Sequence, residues 1–240
     1  MSALQEEHKE RHNKYKPNNR SSNAATSSSE TRTSFSRALS KVLRHSAAKE
    51  GLVMTPDGYV KVDDLLKLPR FKNTKLDLEM LKIIVAENDK QRFKLAEIHD
   101  DALGRTVFYI RANQGHTLSV DENALLKEIM NPTQIPLVVH GTYKNLWPLI
   151  SEQGLKCMAR THIHCATSVI TGENGAISGM RKSCNLLIYI DAEKAMNDGV
   201  RFFRSDNDVI LTSGKDGVLS TEYFSKVVDR RDGTSYPSSS

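Results

Sequence analysis

Residues 34–47 read SFSRALSKVLRHSA, and residues 55–66 read TPDGYVKVDDLL. Phe35, Ala38, Leu39, Val42 and Leu43 recur at i, i+3, i+4, i+7 and i+8, the repeat of an amphipathic helix, with Ser34 as its N-cap. On an adjoining face Arg37, Lys41 and Arg44 fall at i, i+4 and i+7 with His45 beside them, so one side of this helix is cationic. Thr55-Pro56-Asp57-Gly58 is a turn signal, Tyr59-Val60-Lys61-Val62 a short extended run, and Asp63 the cap of a brief helix through Leu68. Working outward, Leu76, Met80, Leu81, Ile84 and Val85 predict a further helix that stops near Asn88-Asp89. Arg92–Leu95 and Thr106–Ile110 then predict a hairpin. Helix, strand, two helices and a two-stranded wing is the order of a winged helix-turn-helix module. That shape often meets nucleic acid, although a fold does not by itself fix a use.

Farther along, residues 117–135 read as a connector with a short helix, Asn123–Met130, ended by Asn131-Pro132. The texture then changes to strands at Leu137–His140, His162–Cys165, Leu186–Ile190 and Val209–Leu211, interrupted by one helix, Tyr143–Ser151, with Gly154 as its stop. The expected fold class is α+β: a winged-helix lobe over residues 34–116, the connector, and a strand-rich lobe over 136–229. Upstream, residues 1–33 carry almost no large apolar side chains, and nine of the fourteen positions from Ser21 to Ser34 are Ser or Thr. Such a segment buries too little surface to offset its ordering entropy, so it is expected to be a disordered arm. Residues 230–240, RRDGTSYPSSS, are read as a disordered tail.

The chain has 240 residues, 38% hydrophobic and 26% charged, which excludes a fibrous protein. No stretch approaches the roughly 18 apolar residues of a membrane span. The start, MSALQEEHKE, lacks the basic-then-apolar order of a secretory signal, so an intracellular protein without membrane partners is expected. Cys157, Cys165 and Cys184 are odd in number and contain no Cys-x-x-Cys pair, which suggests neither a disulfide framework nor a zinc ribbon. Net charge is +5, and residues 34–240 hold 28 Lys and Arg against 25 Asp and Glu. So mild an excess says little about a polyanionic partner; the placement of the arginines matters more. GxxxxGK[ST], GxGxxG and GxSxG do not occur, so P-loop, Rossmann and α/β-hydrolase chemistry are unsupported.

Arg44-His45 ends the cationic helix, Arg92 follows Asn88-Asp89-Lys90-Gln91, and Arg181 lies in Gly179-Met180-Arg181-Lys182-Ser183. Guanidinium groups bind phosphate through paired hydrogen bonds, and an imidazole trades a proton near neutral pH. Brought together, these four would clamp a phosphate; apart, each arginine is an ordinary solvated side chain. His140-Gly141-Thr142 directly follows an apolar strand, where a glycine admits close approach to the backbone. A turn histidine bonded to local backbone explains the tripeptide as well. His162 and His164 alternate along a strand and share a face, either for a ligand or as a polar strand surface. No third ligand has zinc spacing, so no metal is expected. Gln114-Gly115-His116-Thr117 ends the wing, as an exposed histidine or as a hinge.

Taken together, SRALSKVLRHSA, DGYVKVDDLL, ENDKQRF, RANQGH, VVHGT, THIHCAT and AISGMRKS resemble, in order, the RNA 2′-phosphotransferase family, Tpt1/KptA. The resemblance covers about residues 34–229. It implies a winged-helix RNA lobe followed by an ADP-ribosyltransferase-like lobe that uses NAD+ as co-substrate. It also implies that an internal 2′-phosphate of spliced tRNA passes to NAD+. Nicotinamide leaves, a phospho-ADP-ribosylated RNA forms, and ADP-ribose 1″,2″-cyclic phosphate is released. The family's catalytic tetrad falls on Arg44, His45, Arg92 and Arg181. Its NAD+ motif falls on His140, Gly141 and Thr142, with His162 and His164 as further dinucleotide-lobe residues. Lys90, Arg111 and His116 become candidates for RNA phosphate contact, and a monomer is expected. Around Val209–Gly214 there is no glutamate of the kind that protein-modifying ADP-ribosyltransferases use to activate a neutral acceptor. Two other functions accommodate the same residues: an ADP-ribosyltransferase acting on nucleic-acid terminal phosphates or on protein, and a non-enzymatic winged-helix adaptor.

Overall fold

A computed structural model of the chain describes residues 20–100, 104–169 and 178–237. The N-terminal part of the expected arm, residues 1–19, and the last three residues of the expected tail lie outside it. Helix α1 spans Arg20–Lys41, fourteen residues longer at its N-terminus than the expected start at Ser34. Once Leu39, Val42 and Leu43 anchor the turn in the core, each added residue costs little nucleation, and Arg32 ties the helix to Glu87 at 3.2 Å. The helix ends in a π-helical turn, Val42–Ser46, which carries Arg44 and His45. Turns of this kind commonly mark functional positions.

There follow β1 (Val60–Lys61), α2 (Val62–Leu66), α3 (Pro69–Lys72) and α4 (Leu78–Ala86), the last capped by the Asp77 carboxylate accepting from the Met80 amide at 2.8 Å. Strands β2 (Phe93–Asp100) and β3 (Arg105–Ala112) form the expected hairpin, and β1 joins it to make an antiparallel sheet in the order β1-β3-β2. Leu39, Leu43, Val60, Leu65, Leu81, Phe93 and Ile110 belong to one apolar core built by these elements.

A second core is assembled from strands. The connector departs from expectation: α5 covers only Glu122–Leu125, and Lys127–Ile129 is extended as β4. Leu125, Leu126 and Ile129 fit either period. Pairing of β4 with β9 (Phe202–Arg204), reinforced by Arg201 gripping both Glu128 oxygens at 2.6 and 2.8 Å, decides for strand. With β5 (Val139–Thr142), α6 (Trp147–Gln153), β6 (Leu155–Lys156), β7 (Ile163–Cys165), β8 (Leu186–Ile190), α7 (Ala192–Asn197), β10 (Ile210–Thr212), β11 (Val218–Leu219), β12 (Phe224–Asp229) and β13 (Ser235–Tyr236), the described residues form three further antiparallel sheets. Their orders are β4-β9-β10-β7, β11-β6 and β13-β12-β8-β5. Ile163, Cys165, Phe202 and Ile210 from one four-stranded sheet share a core with Leu186, Ile188, Phe224 and Val227 from the other. The whole is α+β.

The tail is ordered through residue 237, contrary to expectation. Val227 and Val228 pair with Tyr236 and Ser235, and the Tyr236 ring meets Trp147 edge-on at 6.1 Å between centroids. Aromatic burial and a strand partner supply what the Ser-rich composition did not suggest. Among the described residues no helix is long and apolar enough to cross a membrane.

Candidate active site

The two four-stranded sheets meet where β5 passes β7. Val139 and Ala166 exchange backbone hydrogen bonds of 3.0 and 2.8 Å, and His140 Nδ1 lies 2.9 Å from the carbonyl oxygen of His164. Parity decides which side chains face the cleft at this seam. Because Ile163 and Cys165 point into the core, His162 and His164 point the other way. On β5, Val139 packs with Met180 and Cys184, and a Cβ on Gly141 would overlap Met180 and come within 2.9 Å of Cys184 Sγ, leaving His140 and Thr142 on the opposite face. The requirement for glycine at 141 thus comes from the Met180 side chain rather than from open space for a ligand.

The resulting cleft has a volume of about 440 Å³. His140, Thr142, His162 and His164 line it together with Arg160 and Arg181, and Leu146, Leu149 and Met158 form an exposed apolar rim. The Tyr143 hydroxyl is 2.8 Å from Ser183 Oγ, and its pKa is lowered by that bond and then by one with Arg181, which ties the Arg181 loop to the end of β5. His162 Nε2 is 2.7 Å from Glu122 Oε1, and its Nδ1 is 2.8 Å from Thr161 Oγ1. Burial, followed by the charges of Arg160 and Arg44, pushes His164 well below the ordinary imidazole range, which favours the neutral ring. Among the described residues no three His, Cys, Asp or Glu side chains gather as a metal would need.

A second cavity, a polar groove of about 600 Å³, lies between α1 and the Glu87–Arg92 loop. His45 and Arg92 open into it. Arg44 lines neither cavity. Its side chain packs against Gly115, 3.5 Å from where a Cβ would stand, and its pKa is lowered to about 10 by burial, then Arg160, then Arg92. Its Nε and Nη2 lie out of solvent contact with no hydrogen-bond partner among the described residues. Arg160 is influenced in turn by Arg181. Arg44 is therefore within electrostatic reach of Arg92, which lines the groove, and of Arg160, which lines the cleft with Arg181. Burying a cation among cations is costly unless an anion joins it, so this row of guanidinium groups is built for negative charge.

His45 is oriented by Thr117. The Thr117 amide donates to the carbonyl of Arg44 at 3.0 Å, and its hydroxyl oxygen stands 3.0 Å from His45 Nδ1. Burial and the charges of Arg44 and Arg160 lower the His45 pKa, favouring the neutral ring. Arg92 is held by Asn88, whose Oδ1 accepts from both the Arg92 amide at 3.2 Å and its Nη1 at 3.1 Å.

Of the three residues expected to touch RNA, Arg111 and His116 are buried and Lys90 is half-buried. Arg111 is 5% exposed, stacked on Tyr59 at 4.8 Å and bonded to Asp206 Oδ2 at 2.9 Å and to the Asp57 carbonyl at 3.1 Å. His116 is 1% exposed. Lys90 donates to the main-chain oxygen of Met180, while Asn207 Nδ2 holds the Lys90 carbonyl at 2.8 Å. All three join the two cores, and burial keeps Arg111 and His116 from a strand arriving through solvent. Sequence reasoning passed over Arg160, Tyr143 and Thr117. For Arg160 a signal existed: it has the same parity as His162 and His164, just ahead of the apolar strand.

Comparison with known proteins shows the family. The model of the RNA 2′-phosphotransferase, Tpt1 / KptA family matches residues 30–214. The chain is 47% identical over 195 residues to tRNA 2′-phosphotransferase 1 of Danio rerio, covering 80% of this chain and 83% of that protein. It is 44% identical over 198 residues to tRNA 2′-phosphotransferase 1 of Homo sapiens, covering 82% and 76%. A longer protein of Schizosaccharomyces pombe is 53% identical over 193 residues, which are 80% of this chain but only half of that protein's length. By the family match over most of its length and by these identities, the chain belongs to the RNA 2′-phosphotransferase, Tpt1/KptA, family of transferases.

Proposed function

We propose that the protein removes an internal 2′-phosphate from RNA, tRNA being the substrate in the names of its relatives and spliced tRNA the form proposed here, by transferring it to NAD+. The observation that carries this reading is the Arg44 guanidinium, near the charges of Arg160 and Arg92, with Nε and Nη2 out of solvent contact and unbonded among the described residues. In the chemistry proposed, a 2′-phosphate oxygen displaces nicotinamide from C1″ of the ribose. The ribose 2″-hydroxyl then displaces the RNA 2′-oxygen from phosphorus, giving ADP-ribose 1″,2″-cyclic phosphate and a 2′-hydroxyl on the RNA.

The residues present suit both reactants. A phosphate entering from the groove meets His45 and Arg92, to whose charge Arg44 adds its own. The cleft offers a dinucleotide His140 and Thr142 on one wall, His162 and His164 beside them, and an apolar rim at Leu146, Leu149 and Met158 for an aromatic base. Arg160 and Arg181 at the cleft mouth offset repulsion between the incoming phosphate and the pyrophosphate. Phosphoryl transfer depends on position and on charge at the non-bridging oxygens, which is the work of an arginine row. His45 Nδ1, turned toward Thr117, leaves Nε2 free to exchange a proton with the departing 2′-oxygen.

We read the first core as a winged-helix lobe over residues 34–116, joined by the connector 117–135 to an ADP-ribosyltransferase-like lobe over 136–229. The three-stranded sheet with its β2–β3 wing supports the first part, and the split pair of four-stranded sheets with a cleft at their seam supports the second. Incubation with an internally 2′-phosphorylated RNA and NAD+ tests the function. Loss of the phosphate with stoichiometric nicotinamide and cyclic phosphate is expected. Stable ADP-ribose labelling without cyclic product would instead indicate an ADP-ribosyltransferase, and RNA binding without nicotinamide release an adaptor.

A further inference from the structure

We propose that the groove between α1 and the Glu87–Arg92 loop is the track for the single-stranded RNA beside the reactive 2′-phosphate, with Arg37 and Lys41 binding its backbone phosphates. The proposal rests on the reading above that the substrate is RNA. Four cations, Arg32, Arg37, Lys41 and Arg92, line the groove against two acids, Glu87 and Asp89. Arg32 is paired with Glu87, and Arg92, positioned by Asn88 through Nη1, is the arginine assigned above to the reacting phosphate. Arg37 and Lys41 are exposed, and neither side chain has a hydrogen bond or ion pair among the described residues.

Their placement gives direction. Arg37, Lys41 and His45 follow one another at four-residue intervals along the same helical run, so successive groups are about 6 Å apart along the axis. One nucleotide of an unstacked strand can bridge that interval. A phosphate held at His45 and Arg92 therefore leaves its neighbouring phosphates along α1, at Lys41 and then Arg37. Ser36 and Ser40, half-buried on the groove wall, add neutral donors for phosphate oxygens. Among the described residues no Phe, Tyr or Trp lines the groove, so bases find no broad stacking platform there, and recognition through it is independent of sequence and sensitive to salt. The residues expected to serve as RNA contacts, Lys90, Arg111 and His116, are bonded across or buried between the two cores.

The test compares the wild type with the double variant R37A/K41A on two substrates: a 2′-phosphorylated RNA with several unpaired nucleotides on each side, and a 2′-phosphorylated dinucleotide. Alanine preserves the helix. On the long RNA, KM should rise at least ~10-fold with kcat within about twofold, and the slope of log affinity against log salt should shrink by about 1.4, the share of two phosphates on a single strand. On the dinucleotide the two proteins should match. A control variant, K127A, on the distant β4 edge, should behave as wild type. Wild-type KM and salt slope in R37A/K41A would overturn the track, as would an equal loss on the dinucleotide. Should the wild type turn over neither substrate, the functional reading fails separately, and fluorescence anisotropy with the long RNA still decides the groove: unchanged affinity in R37A/K41A refutes it.

Discussion

Lys90 donates a hydrogen bond from its ammonium to the main-chain oxygen of Met180, the residue before Arg181. Lys90 belongs to the short loop that also holds Arg92 through Asn88, so one loop of the first core sets an arginine of its own and, across the interface, an arginine of the second. The Lys90 backbone is itself fixed by Asn207 at 2.8 Å. Lys90→Met keeps the stem and removes the charge. It should lower kcat by about 10- to 100-fold, the usual scale when a reacting group is displaced by an ångström, while KM for RNA changes less than about threefold. Lys90→Arg should recover part of the rate. A large KM effect with kcat intact would return Lys90 to the role of a phosphate contact.

Arg44 sets function against stability. A guanidinium near the charges of Arg160 and Arg92, with Nε and Nη2 out of solvent contact and unbonded among the described residues, contributes little to folding. Arg44→Met fills the same volume without the desolvation cost. The variant should melt at the same or a higher temperature, with a gain on the order of 1 kcal/mol, and should lose at least ~100-fold in turnover. A melting temperature several degrees below wild type would mean that the guanidinium is satisfied within the fold and is not waiting for an anion.

Much of this site could be read from period and parity alone. Leu39, Val42 and Leu43 predicted the helix that delivers Arg44 and His45, and alternation predicted that His162 and His164 share a face. What escaped depended on partners remote in sequence. Arg111 has the same local signature as a surface phosphate contact, and only Asp206, 95 positions away, with the Tyr59 ring, turns it inward. The 125–129 segment carries apolar residues that suit a helix as well as a strand, and the free edge of β9 settles the choice. The tail lacks apolar density, yet one tyrosine and one strand edge order it.

His116 makes stability depend on pH. Burial, then the Arg44 charge, brings its pKa from 6.5 down to about 4. The unfolded chain therefore binds the extra proton between those two values, and the stability present above pH 6.5 is lost progressively as pH falls toward 4. At about pH 5 this residue alone accounts for roughly 2 kcal/mol, and His164, shifted in the same direction, adds to it. Melting temperatures measured from neutral pH downward should fall across this window, and His116→Gln should flatten the slope. A flat wild-type profile would mean that the ring is protonated in the folded state.

Gly141 distinguishes packing from ligand approach. A Cβ there would overlap Met180 Cγ and stand 2.9 Å from both Met180 Sδ and Cys184 Sγ. Gly141→Ala must push Met180 away, and with it the carbonyl that Lys90 holds and the adjoining Arg181. Activity should fall by more than ~10-fold, whereas the destabilisation should be in the 1–3 kcal/mol range of ordinary overpacking. The double variant Gly141→Ala/Met180→Ala removes two of the three close contacts, so a thermodynamic cycle should show a favourable coupling of at least about 0.5 kcal/mol in stability and partial recovery of rate. If the added methyl instead blocks the dinucleotide, shrinking Met180 recovers nothing, and KM for NAD+ carries the whole defect.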